Sequence, residues 1–160
     1  MASPAPQPDG DGLLGAIVRL NLAVTGVLEE ITGGFGLPTA DYLVLGVIRG
    51  ASDGRTSPTA IAEVLGRTTG GMTLALDRLQ DAGWVRRTPD PADGRRVVVA
   101  LTAAGHDLAV RVNAALHRWE AGLDLPDDAA AVVRTVDDLT AAIGRHHGTV
   151  PAGGAVATGA

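Results

Sequence analysis

A shortage of large aromatic side chains constrains this fold more than any other sequence feature. One Tyr, one Phe and two Trp serve 160 residues, yet 46 % of the chain is apolar. That apolar fraction is ample for a folded core, and Ala, Val and Leu must build it. Side chains this small fill the gap between closely approaching helices. The expected fold class is therefore mainly α with a small β element (α+β). The length allows one domain, or one domain with an added dimerisation element.

The apolar spacing gives the order of the elements. Ile17, Leu20, Val24, Leu28 and Ile31 predict a helix over residues 13–32. Val18, Leu22 and Val27 make further faces apolar, so this helix needs partners on most sides. Gly33, Gly34 and Gly36 end it. Thr39 is expected to cap a second helix running to about Gly50, and residues 51–56 read as a loop. Ser57-Pro58 is a helix start, with a capping hydroxyl and a proline suited to the first helical position. Ile61, Val64 and Leu65 supply that helix's apolar stripe, and Gly66 stops it. Thr68 caps the next helix, which runs to about Ala82 with Met72, Leu76 and Leu79 on its buried side, and Gly83 ends it.

Trp84–Thr88 and Arg96–Leu101 read as the strands of a hairpin with a turn-rich, mobile tip at residues 89–95. Thr102 caps a long helix through about Ala121 that carries Leu108, Val112, Ala115 and Trp119 on one face. A last helix spans roughly residues 127–146, lined by Val132, Val136, Leu139 and Ile143, with Asp127 and Asp128 favourably placed at its N-terminus. Residues 1–12 are expected to form a flexible arm and residues 148–160 a disordered tail.

Charge singles out the middle of the chain. The net charge is −5, but residues 49–99 hold eight Arg against six acids, +2, whereas residues 1–48 hold one against five and residues 100–160 four against seven. No Lys occurs, so every cationic phosphate contact must come from Arg, which binds phosphate in a bidentate fashion.

The same middle segment runs helix, helix, β-hairpin, the order of a winged helix-turn-helix. Major-groove reading needs a second helix whose N-terminal part is small and polar, and here it is Thr68-Thr69-Gly70-Gly71-Met72-Thr73. Gly in a helix costs about 1 kcal/mol against Ala. The pair marks either close approach to DNA or a frayed start in a Gly-rich chain. Thr69 and Thr73 share a face and can meet phosphates, base edges or a thymine methyl. Arg67 and Arg78 bracket the helix; Arg78 is alternatively a solvated charge or a partner for Asp77 or Asp81. At the hairpin tip, Asp93-Gly94-Arg95-Arg96 exposes two guanidinium groups suited to a narrow minor groove, and Asp93 is expected to hold the Arg95 guanidinium extended. The candidate DNA contacts are thus Ser57, Arg67, Thr68, Thr69, Gly70, Gly71, Thr73, Arg78, Asp93, Arg95 and Arg96.

From Ile61 to Gly105 the sequence resembles the MarR family, the multiple-antibiotic-resistance-type regulators. The resemblance rests on Leu65-Gly66-Arg67-Thr68, Met72-Thr73, Leu76-Asp77-Arg78-Leu79, Gly83-Trp84-Val85-Arg86-Arg87, the wing pattern Asp93-Gly94-Arg95, and Leu101-Thr102-Ala103-Ala104-Gly105. It implies a winged helix-turn-helix DNA-binding domain over residues 37–101, flanked by dimerisation helices at residues 13–36 and 102–147. It also implies a homodimer that binds double-stranded DNA at a pseudo-palindrome, most often as a repressor; a cytoplasmic location is the default expectation, since no signal-like or membrane-spanning stretch is read in the sequence. A phenolic or drug-like effector is implied between the two regions. The family's redox-sensing branch needs a reactive Cys, and this chain has none.

Other chemistries find less support. His106 and His117 lie about 16 Å apart along one helix and cannot share a metal, and His146-His147 fit a helix end. No metal site, cofactor or catalytic residue is expected. Gly66 to Gly71 lacks the Lys of a phosphate loop, and no run of about 18 apolar residues predicts a membrane span. Arg19, Asn21, Tyr42, His117 and Trp119 are polar or amphipathic residues within apolar helices, read as either effector-pocket or edge residues. The alternative function is a winged-helix module that binds a protein partner without DNA.

Overall fold

A computed structural model describes residues 12–124 and 129–147, apart from the side chains of Thr69 and His147. Residues 1–11 of the expected arm, the Asp127-Asp128 pair, the tail from residue 148 and the Thr69 hydroxyl lie outside this description. The chain divides after Ala121, with Met1–Ala121 as one unit and Gly122–Ala160 as another. The second unit carries α6 (Ala129–His147).

In the first unit the order is α1 (Leu13–Gly33), α2 (Thr39–Gly50), β1 (Arg55–Thr56), α3 (Pro58–Val64), α4 (Thr69–Asp81), β2 (Val85–Pro89), β3 (Val97–Leu101) and α5 (Ala103–Glu120). The mainly α expectation with a small β-wing is met. Leu45, Ile48, Ile61, Met72, Leu76, Leu79, Val99 and Val112 are buried together, so α2 to α5 and the sheet share one core. No Phe, Tyr or Trp is among its fully buried residues, in keeping with a core of small side chains.

Local chemistry sets the helix ends. Ser57 Oγ accepts the Ala60 N–H at 3.1 Å, Thr68 Oγ1 the Gly71 N–H at 3.3 Å, and Thr102 Oγ1 the Gly105 N–H at 3.0 Å. These are three of the four hydroxyl caps expected from sequence. α3 and α4 both close in the same manner. Gly66 at φ +60° lets Arg67 N–H reach Ala62 O at 2.8 Å, and Gly83 at φ +75° lets Trp84 N–H reach Leu79 O at 2.9 Å. A positive φ is cheap only for glycine, which is why this reversal falls on these residues.

Three expectations are corrected. Thr39 does not cap α2: Pro38 is the N-cap, and the Thr39 hydroxyl bonds the buried Thr32 hydroxyl at 2.9 Å, tying α1 to α2. Residues 51–56 are not all loop, since Arg55 and Thr56 pair with Ala100 and Val99, giving a sheet ordered β1-β3-β2. Val64 is 68 % exposed, because a helix of seven residues turns only Ile61 and Ala62 into the core.

Candidate nucleic-acid interface

α4 carries the proposed reading surface. Met72, Ala75, Leu76 and Leu79 anchor its inner side in the core, which leaves Gly70, Gly71 and Thr73 on exposed positions. A Cβ on Gly70 would meet nothing within 4 Å, so this glycine is not required by packing inside the chain. Thr68 and Gly71 are joined by the cap, and Arg67 is exposed in the turn before it.

Arg78 is placed differently. Its Nη2 donates to Asp41 Oδ1 at 2.7 Å and its Nε to Asp41 Oδ2 at 3.3 Å, a two-pronged clamp from α4 to α2. Neither Asp77 nor Asp81 is its partner. The Asp41 side chain is 4 % exposed and that of Arg78 is 56 % exposed. The hydrogen bond to Asp41, then the charge of Asp41, hold the guanidinium protonated beyond its already high ordinary range. Asp77 instead pairs with Arg87 of β2 at 2.7 Å, and Arg87 Nη2 donates to Thr73 O at 3.3 Å. Arg87 therefore braces the wing against the middle of α4, a role that sequence reasoning missed.

The wing tip is organised by its two acids. Asp90 Oδ1 accepts the Ala92 N–H at 2.8 Å and Asp93 Oδ1 the Arg95 N–H at 3.1 Å, each an Asx turn. Asp90 N–H reaches Arg96 O and Arg96 N–H reaches Asp93 O, both at 2.8 Å. The expected bond from Asp93 to the Arg95 guanidinium is corrected, because Asp93 Oδ2 pairs with Arg96 Nε at 3.4 Å. An N–H two residues on is within reach without ordering a long side chain. Arg95 is exposed and has no salt bridge among the described residues. Ser57 and Arg96 both line a cleft of about 570 Å³ between the start of α3 and the wing, with Pro58, Glu63 and Asp90.

None of the five effector candidates lines a described cleft. Arg19 and Asn21 are exposed on α1; Tyr42 packs against the core; His117 pairs with Glu120 at 3.1 Å; Trp119 is exposed on α5. A cleft of about 700 Å³ lies elsewhere, among Arg49, Asp53, Arg55, Arg86, Thr102 and His106. No cluster of His, Cys, Asp or Glu among the described residues is arranged to hold a metal ion. No helix among them is long and apolar enough to cross a membrane.

Known proteins are similar to this chain in sequence and in fold. A family model described as MarR family matches residues 35–96. The regulator PecS of Dickeya dadantii is 31 % identical over 101 residues, 62 % of this chain and 61 % of PecS. The multiple antibiotic resistance protein MarR of Escherichia coli K12 is 36 % identical over 93 residues, 58 % of this chain and 63 % of that protein. The match thus spans only about three-fifths of these curated relatives' own length. A crystal structure of a mutant MarR from E. coli complexed with operator DNA aligns at a TM-score of 0.65 and 30 % identity, covering 79 % of this chain and 92 % of that one. By fold, wing and sequence, the chain belongs to the MarR family of winged helix-turn-helix transcriptional regulators.

Proposed function

We propose that this chain is a ligand-responsive homodimeric repressor that binds a pseudo-palindromic operator, with α4 in the major groove and the wing tip in the minor groove. The observation that carries the reading is Arg95. It is a guanidinium at the apex of a structured tip, with no salt bridge among the described residues, on the net-basic part of an acidic chain. A narrow minor groove attracts such a group through its negative potential. The complex of the E. coli relative with operator DNA supports the same reading. Arg67, Thr68, Thr69, Gly70, Gly71, Thr73 and Arg96 are the further proposed contacts, with Ser57 and Asp93 shaping the backbone beside them. Arg95→Ala is expected to weaken binding to a duplex from the protein's own promoter region by about 1–3 kcal/mol, with thermal melting unchanged. The salt dependence should be steep. Equal affinity in the variant rejects the wing assignment.

Dimerisation is proposed through α1, with α5 and α6. α1 exposes Leu13, Leu14, Val18, Leu20, Leu22 and Val24, and α6 exposes Val132, Val133, Val136 and Ile143. Large apolar side chains exposed in such numbers on a helix mark an interaction surface, and a two-fold dimer suits a two-fold operator. Leu22→Asp should yield a monomer in sedimentation and lose operator binding at concentrations where the parent is saturated. A dimer of unchanged mass would remove α1 from the interface. The effector is proposed to be phenolic or drug-like, and a thermal-shift screen of such compounds followed by a DNA-release assay tests it.

A further inference from the structure

We infer that Leu74 reads a thymine in the major groove through the base's 5-methyl group, an inference that rests on the duplex-reading proposal above. At about 100° per residue, Leu74 falls opposite the buried stripe of Met72, Ala75, Leu76 and Leu79. Gly70 lies one turn before it on the same line. Leu74 is 64 % exposed and is the only large exposed hydrophobic residue of α4 among those described.

A single exposed leucine is ordinary on a protein surface; the position of this one is not. Gly70 and Gly71 place no side chain ahead of it, and a Cβ on Gly70 would find open space. The helix backbone can therefore approach a duplex closely at its N-terminal end, with Leu74 as the first apolar side chain on the outermost line. The neighbouring acid, Asp77, is already matched by Arg87 at 2.7 Å. Asp77 thus places less uncompensated negative charge beside the leucine.

Leucine has no donor or acceptor, so it cannot read hydrogen-bonding edges. In the major groove the thymine methyl is the apolar group that a base presents, whereas cytosine presents an amino group there. Leu74 accordingly favours thymine, disfavours cytosine through an unsatisfied donor, and recovers affinity on 5-methylcytosine.

The test uses the full chain and a duplex selected from a random library. Each thymine of a half-site is replaced in turn by dU, which removes only the methyl group. Affinity should fall about fourfold at one position per half-site, the worth of one buried methyl, and hold elsewhere. Leu74→Ala should melt with the parent, bind the thymine duplex at least as weakly as the parent binds the dU duplex, and no longer distinguish dT from dU at that position. Replacing dC by 5-methyl-dC there should strengthen binding by the parent and not by the variant. Duplex binding that is indifferent to dU at every position overturns the inference and leaves the DNA-reading proposal standing. Failure to select or bind any duplex overturns both.

Discussion

Gly105→Ala is expected to destabilise the fold by roughly 3 kcal/mol, although alanine is the better helix former by about 1 kcal/mol. Gly105 sits in the first turn of α5, and its Cα faces the backbone of Trp84. A Cβ there would overlap the Trp84 carbonyl oxygen and lie 2.7 Å from the carbonyl carbon. Backbone cannot swing aside as a long side chain can. The same carbonyl accepts the Thr102 N–H at 3.0 Å, and Thr102 Oγ1 donates to Gly83 O at 2.6 Å while accepting the Gly105 N–H. The methyl must therefore pry apart a junction that joins the end of α4, the base of the wing and the start of α5. Overpacking of about 1–3 kcal/mol and about 1 kcal/mol for each hydrogen bond lost outweigh the helix-propensity gain. The melting temperature should fall by about 6–12 °C. Gly70→Ala, whose methyl meets nothing within 4 Å, is the control that should fold normally. A Gly105→Ala melt within 2 °C of the parent would falsify the close-approach account. The Leu101-Thr102-Ala103-Ala104-Gly105 pattern thus has a physical reason: its threonine caps and bridges, and its glycine makes room.

What the sequence made legible was what is decided locally. The hydroxyls of Ser57, Thr68 and Thr102 announce caps because the N–H each satisfies lies three residues on. Gly66 and Gly83 announce stops because only glycine takes that φ cheaply. The stripe of Met72, Leu76 and Leu79 shows the buried side of α4 by periodicity. Contacts that cross the chain left no such mark. Asp41 and Arg78 are 37 residues apart, and nothing near either one specifies the other. β1 is two residues long, too short for an alternating pattern, and exists because β3 offers an open edge. The wing tip shows a third case. Both bonding options of Asp93 are local, and the backbone N–H of Arg95 won over its guanidinium because it was already in place. The charge pattern found the basic segment, but not which arginines are already engaged: Arg78 by Asp41, Arg87 by Asp77 and Arg96 by Asp93.

That division of the arginines leads to the second large effect. Arg78→Ala should cost about 2–3 kcal/mol, and Asp41→Ala about 1 kcal/mol, although both remove the same ion pair. The asymmetry follows from what each deletion leaves behind. Without Arg78, a carboxylate only 4 % exposed loses both guanidinium donors. Without Asp41, a guanidinium already 56 % exposed turns to water. The figure for Arg78 stays below the ~3–5 kcal/mol of a fully buried pair, because truncation admits solvent and Asp41 lies in the first turn of α2, where the helix dipole favours an acid. Replacing both residues together, Asp41→Leu with Arg78→Met, should restore most of the stability lost by Arg78→Ala, since no charge is then stranded. The double variant also separates the two roles that sequence gave Arg78. With Nε and Nη2 already committed to Asp41, its affinity for an operator duplex should stay within about twofold of the parent, well under the tenfold that ~1.4 kcal/mol represents. A folded double variant that binds tenfold more weakly would return Arg78 to the DNA interface and make the Asp41 clamp a device for aiming it.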